Sequence, residues 1–274
     1  MPIIMETNQK LSDKYRAGGS NQSQNSSQND GYGGSRSVSN GMGVSYIQRQ
    51  LSKERECLIY LLVGETGVGK SYSVIQLAKG YIKDNPQTGK KGRPFFIFDT
   101  NGEEEYAKAF PKVIRYKEVG RIINPDVYRI LPINDDGSVM DDEEIRMAMI
   151  HLAFHVKKAA LALDDIDSYF SGAKPRVLER LFMGFRHRGG RDVIFSHQRL
   201  SAIYPQERAG ATIISLRHTN ESIESIKDRW RNAEIISVAQ EIVEEQYELA
   251  ERMYQQNRIS EDEYKKRRSF FVEI

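Results

Sequence analysis

Cysteine is almost missing from this chain, since Cys57 stands alone among 274 residues. One thiol can neither close an intramolecular disulfide nor supply a cysteine-based zinc site, and such scarcity suits a reducing cytoplasm. Long apolar runs are missing too. Nowhere do about 18 apolar residues follow one another, which excludes a spanning helix. The opening Met1-Pro2-Ile3-Ile4-Met5 is too short for the apolar stretch of a signal peptide, and no basic segment precedes it. Net charge is also lacking. Forty basic side chains against 38 acidic ones leave +2, a total that says nothing about partners.

Large apolar residues are sparse in the first part of the chain. Residues 8–43 are dominated by Asn, Ser, Gln and Gly. Such a segment cannot bury enough apolar surface to offset the entropy of ordering it. The expectation is a disordered tail over 1–46, ahead of a single domain over 47–274 that is long enough for one large core. Within it a core over about 55–230 and a C-terminal helical and edge-strand extension over 233–274 are expected.

Within that domain short apolar runs alternate with helical patterns. Residues 58–63, 95–98, 127–131, 160–163, 193–195 and 212–216 read as strands, each apolar nearly throughout. Helices are expected over 70–84, 103–110, 142–156 and 177–185. This order implies an α/β fold: a mostly parallel sheet covered by helices on both faces. The chain then closes differently. Ile235, Ala239, Ile242, Gln246, Leu249 and Met253 trace a long amphipathic helix. Ser260-x-x-Glu263 reads as a capping-box start, and residues 270–272 as an edge strand.

The chemistry is carried first by Gly64-Glu65-Thr66-Gly67-Val68-Gly69-Lys70-Ser71, which matches G-x-x-x-x-G-K-[ST] in full and stands between an apolar strand and a helix. This is a P-loop. Its glycines let successive N–H groups point at phosphates, Lys70 would neutralise the β- and γ-phosphates, and Ser71 would ligate Mg²⁺. The cofactors are therefore ATP and Mg²⁺. An acidic partner for the metal is expected at the end of a neighbouring strand, where Asp164 would act through water and Asp165 would be the base or the water-positioning group. Asp165 is one methylene shorter than the commoner Glu, and a shift on the order of 1 Å can cost about a hundredfold in rate. Asp167 and Glu105 are the reserve acids. Gln198, after the strand at 193–195, stands where ligands bind in such sheets and could sense the γ-phosphate or orient water.

Other residues carry weaker signals. Lys174, Arg176, Arg180, Arg186, Arg188, Arg191 and Arg199 are opposed locally only by Glu179 and Asp192, a clustering that suits a phosphate-facing surface or a solvated helix. His151 and His155 share a helix face without a third ligand and read as packing. Trp230 reads as core. The run Lys265-Lys266-Arg267-Arg268 reads as a solvated helix end.

Together these elements resemble the HerA/FtsK superfamily of P-loop ATPases over residues 55–230. Residues 95–106 look like that group's apolar strand, its Asp99 and the following Glu105-Tyr106. Residues 161–170 look like its Walker B strand, and residues 184–198 like its Arg-His segment leading into an apolar strand and Gln. In compactness the chain is similar to the genome-packaging ATPases of tailless, internal-membrane bacteriophages. The resemblance implies a ring, usually a hexamer, that hydrolyses ATP and drives double-stranded DNA into a preformed capsid. It implies action in the host cytoplasm, with docking at a capsid vertex or an internal-membrane protein. It also implies Arg186 or Arg188 as an arginine finger for the neighbouring subunit, worth about 10³–10⁵ in rate. A helicase or a conjugative or phage-assembly ATPase would keep the motor and change its task. A small-molecule kinase or nucleotide switch would need an Arg-rich lid, and the sequence offers no obvious one.

Overall fold

The computed structural model describes residues 57–86, 89–170, 185, 187, 189–190 and 192–274, with residues 168 and 170 described by backbone alone. The tail expected over 1–46, most of the helix expected over 177–185, and both candidate fingers, Arg186 and Arg188, lie outside the described residues.

The described residues form an eight-stranded sheet. Its strands are β1 (Leu58–Val63), β2 (Phe95–Phe98), β3 (Val113–Ile114), β4 (Val127–Ile130), β5 (Ala160–Leu163), β6 (Asp192–His197), β7 (Ile213–Leu216) and β8 (Val272–Glu273). They lie in the order β3-β4-β2-β5-β6-β1-β7-β8. All pairs are parallel except β7 with β8. The helices are α1 (Lys70–Tyr81), α2 (Glu104–Ala109), α3 (Asp142–His155), α4 (Asp167–Phe170), α5 (Pro205–Gly210), α6 (Ala233–Gln255) and α7 (Glu261–Arg268).

The strands are apolar throughout because each has two faces to bury. Ile59, Leu61 and Val63 pack with Phe96, Phe98, Leu161, Leu163, Val193 and Phe195 into one core, beside Ile145, Met149 and Leu152 of α3 and Ile236 and Ala239 of α6. The alternate residues Leu62, Phe95, Ile97, Ala160, Ala162 and Ile194 pack into a second core against Val74, Ile75 and Ala78 of α1 and Tyr106 and Phe110 near α2. The period of two along each strand thus divides the apolar run between two layers of helices.

Three expectations are corrected. The strand carrying Asp164 is not a direct neighbour of the P-loop strand, because β6 lies between β5 and β1. Helix α1 ends at Tyr81 rather than 84, since the Asp84 carboxylate instead accepts from Gly92 N (2.8 Å) and Lys91 Nζ (2.7 Å) to close the following loop. The closing strand is shifted to Val272–Glu273, where it adds an antiparallel edge to β7. Several short elements were not read from the sequence, among them β3, α4, α5 and a 3₁₀ turn over Tyr116–Arg121. At α7 the Ser260 hydroxyl does cap, accepting from Glu263 N at 3.3 Å. Trp230 is buried, as expected of core.

A buried ion pair fixes the exit of β2. Arg129 Nη2 lies 2.7 Å from Asp99 Oδ2, with the side chains 6% and 0% exposed, and Asp99 Oδ1 also accepts from Glu103 N at 2.9 Å. Removing one member strands the other charge in the core. Asp99→Ala should therefore destabilise the domain by about 3–5 kcal/mol in urea unfolding, and a loss below about 1 kcal/mol would show that the pair is dispensable.

Candidate functional site

The P-loop is pinned at its start by the two strands flanking β1. Gly64 N donates to His197 O (3.1 Å) and Glu65 N to His218 O (3.0 Å). Gly67 (φ 83°) and Gly69 (φ 82°) take the left-handed conformation, which glycine adopts without the clash of a Cβ. Helix α1 then starts at Lys70, presenting the unpaired N–H groups of its first turn. Lys70 Nζ donates to the carbonyls of Gly64 (2.6 Å) and Glu65 (2.8 Å). Burial holds its pKa below the ordinary lysine value, against the pull of Asp164 and Asp165.

Three strand ends converge on this loop. Asp164, at the end of β5, is buried. Its pKa is pushed up to about 6, first by burial and then by the nearby Glu103 carboxylate, while Ser196 and Lys70 act in the opposite direction. Asp165 follows in the left-handed region at φ 47°. Its carboxylate accepts from Gln198 Nε2 (3.0 Å) and Asn101 Nδ2 (3.4 Å). The pairing of Asp165 with Gln198 joins two residues that the sequence singled out separately.

The reserve acids are placed otherwise. Asp167 faces His197 Nδ1 at 2.5 Å and accepts from Gln198 N at 2.8 Å, so it holds the β6 exit. Glu105 is exposed on α2. Sequence reasoning missed Glu103, which is hydrogen-bonded to Ser71 and whose pKa is raised above the ordinary glutamate value, chiefly by burial. The one sequence signal for it was its place four residues after Asp99, at the start of α2. Arg217 was missed as well. Its buried guanidinium donates to Ser215 Oγ (3.1 Å) and to Ser73 Oγ, and lies 4.8 Å from the Phe271 ring. Burial lowers its pKa to about 10.

The C-terminal extension closes on the P-loop from outside. A Cβ placed on Gly69 would come within 2.7 Å of Ser269 Cβ. Glu65 accepts from Asn220 Nδ2 (2.6 Å) and Tyr247 Oη (3.3 Å), and lies 3.5 Å from Arg268. A cavity of about 870 Å³ runs from Gly69 along α1, lined by Tyr72, Ser73, Ser269 and Phe271 among others.

The donor set suits Mg²⁺, a cation that takes hard oxygen ligands and keeps several waters alongside phosphate oxygens. Among the described residues no group of three His, Cys, Asp or Glu side chains forms a protein-only metal cage. His151 and His155 stack on one another at 3.9 Å, and His155 Nδ1 lies 2.8 Å from the His151 carbonyl, which is packing.

A mostly parallel sheet with a P-loop at β1–α1 and acids at the end of β5 defines a P-loop NTPase fold. Residues 60–167 match the family model described as the central domain of helicase HerA, so the HerA/FtsK-like character read from the sequence holds over that stretch. Among solved structures, the chain is similar to the genome packaging NTPase B204 of Sulfolobus turreted icosahedral virus 2. In its complex with AMPPCP the identity is 22%, over 69% of this chain and 87% of that one, with a TM-score of 0.46. Its complex with ATP-gammaS gives 21% identity, 69% and 86% coverage, and a TM-score of 0.46. B204 of Sulfolobus turreted icosahedral virus, described as a DNA-packaging ATPase, gives 20% identity, 68% and 85% coverage, and 0.44. None of the curated proteins matches. No helix among the described residues is long and apolar enough to cross a membrane.

The raised pKa of Asp164 sets a sign. A carboxyl whose pKa rises from 3.8 to about 6 on folding contributes stability below the lower value. That contribution is lost as pH climbs through the upper one. Without nucleotide or Mg²⁺, Asp164→Asn should therefore be more stable than wild type at pH 8, by on the order of 2–3 kcal/mol. The advantage should vanish near pH 4. Melting temperatures across that range check it, and a variant that is less stable at pH 8 would contradict it.

Proposed function

We propose that this chain is an ATP-hydrolysing motor on double-stranded DNA, most specifically a viral genome-packaging ATPase working as a ring. The observation that carries the ATPase reading is the Gln198–Asp165 hydrogen bond at the strand ends beside the P-loop. An amide and a carboxylate held together there can both contact one water and set it in line with the γ-phosphate. The packaging task is supported by the resemblance read from residues 95–106, 161–170 and 184–198, while the match of residues 60–167 to the central domain of helicase HerA supports the wider motor class.

In this reading the N–H groups of the P-loop and of the first turn of α1 bind the phosphates. Lys70 leaves its two backbone carbonyls to reach the β- and γ-phosphates. Ser71 and, through water, Asp164 hold Mg²⁺, which when bound neutralises charge on the transferring phosphate. Glu103 orients the Ser71 hydroxyl. Asp165 takes the proton of the attacking water while Gln198 orients it. The left-handed backbone at Asp165 also accounts for Asp in place of Glu, because Asp tolerates that conformation better than longer side chains. The nucleoside lies in the cavity between α1 and Phe271. Arg186 or Arg188 serves as the finger of an adjoining copy, so turnover depends on assembly.

Steady-state turnover with and without double-stranded DNA tests the reading. Lys70→Ala should abolish hydrolysis. Asp165→Asn should lower kcat by about 10²–10⁴, the usual contribution of a general base, and Gln198→Ala should lower it less. DNA should stimulate the wild type. Turnover that requires a small phosphate acceptor would overturn the motor, and full activity in Asp165→Asn with none in Glu103→Gln would move the base to Glu103. The family model also favours a HerA-like helicase, which strand-displacement activity in the absence of capsid would identify.

A further inference from the structure

Beside the β6 exit lies a second cavity, of about 520 Å³, outside the nucleotide site. Arg199, Arg208 and Arg229 line it together with Ser201, Tyr204 and Asp167. These arginines come from three places in the chain: the residue after Gln198, helix α5, and the turn Lys227–Arg229. The fold gathers them, since no local sequence pattern does.

Among the described residues none of the three makes an ion pair. The nearby carboxylates each accept at least one hydrogen bond. Asp167 faces His197 Nδ1 and Gln198 N. Glu221 accepts from Ser201 N at 3.1 Å and from the Ser201 hydroxyl. Glu207 accepts from Tyr204 N at 2.8 Å through Oε2, while its buried Oε1 has no hydrogen-bond partner among the described residues. Arg208 is held in place, with Nη1 donating to Ile203 O at 2.8 Å and the guanidinium 5.5 Å from the Trp230 ring. Burial first, and then the charge of Arg229, hold its pKa below the ordinary arginine value. Exposed Arg199 and Arg229 complete the rim.

Three guanidinium groups around one concavity outnumber the single carboxylate on its wall, that of Asp167, and call for an anion. Planar N–H forks match phosphate oxygens in pairs. We propose that this cavity is a phosphate-binding site for the backbone of double-stranded DNA. The cavity is too small to admit a duplex and suits one backbone phosphate seated at its mouth, which gives contact without sequence readout. Its position adds a consequence. Arg199 follows Gln198 directly, and Asp167 on the cavity wall holds both His197 and the Gln198 backbone. A phosphate drawn in beside Asp167 therefore acts on the element that positions the water-orienting amide, which gives DNA a route to stimulate hydrolysis.

This inference rests on the DNA-motor reading, and one experiment separates their failures. Fluorescence anisotropy would measure binding of a labelled duplex to the full chain between 50 and 200 mM salt. The proteins would be wild type, Arg199→Gln, Arg229→Gln and the double variant, with melting curves confirming the fold. Both arginines are exposed, so the substitutions leave the core alone. Each single change should weaken binding several-fold, and the double variant should weaken it further and reduce the salt-dependence slope by about 1, the value for one neutralised phosphate. Wild-type affinity and slope in the double variant would overturn the site while leaving the motor standing. Wild-type DNA affinity combined with lost DNA-free turnover would also overturn it, assigning the arginines to nucleotide on an adjoining copy. No duplex binding by the wild type would remove both the site and the motor reading.

Discussion

Strand β6 pairs with β1 on one side and β5 on the other, and the geometry of the site follows from that double pairing. On the β1 side Val63 stands opposite His197, so the two strands end level and His197 O receives Gly64 N. On the β5 side Leu163 stands opposite Phe195, so β6 runs two residues farther than β5. The loop after β5 is drawn along it by Ile166 N donating to Ser196 O at 3.2 Å. Gln198 emerges between the P-loop and the two acids as a result. A slip of one residue in either ladder would turn every side chain to the opposite face and remove the amide from the site. Both faces of the sheet are buried, so the cost of such a slip lies in exchanging residues between two cores that are packed around different side chains.

The electrostatics of the site follow from what that register packs together. Asp164, Asp165 and Glu103 surround one ammonium, that of Lys70, while Asp99 is matched by Arg129 in the core. The raised pKa values of Asp164 and Glu103 come first from burial and then from the neighbouring carboxylates. The excess of carboxylate over cation is unfavourable in the resting protein, and it is the condition that makes the pocket receptive to a divalent cation arriving with phosphate. Asp167 and His197 lie just outside this cluster. Their close contact and the hydrogen bond from Gln198 N to Asp167 hold the end of β6 where the amide is wanted.

Much of this was legible in the sequence. The P-loop is a local motif whose φ > 0 positions demand glycine, and the buried strands announce themselves as apolar runs. The acid pair at the end of β5 could be read for the same reason. The order β5-β6-β1 could not, since β6 pairs with β1 across more than a hundred residues and such pairing leaves no local trace. Glu103 was overlooked because its link to Ser71 depends on α2 meeting α1 in space. Arg217 and Arg208 look like ordinary surface arginines until burial is known. The left-handed turn at Asp165 is likewise invisible before the backbone is traced, yet it gives a physical reason for the Asp that first looked like a defect. At the C-terminus the helical period was plain, whereas the packing of Ser269 against Gly69 was not.

The most direct measurement is a high-resolution structure of the full chain with Mg²⁺ and a non-hydrolysable ATP analogue. The account predicts that Lys70 exchanges the Gly64 and Glu65 carbonyls for phosphate oxygens. It also predicts a water in line with the γ-phosphate, contacted by both Gln198 Nε2 and the Asp165 carboxylate. An in-line water held by Glu103 instead, with Asp165 and Gln198 turned away from the phosphate, would contradict it.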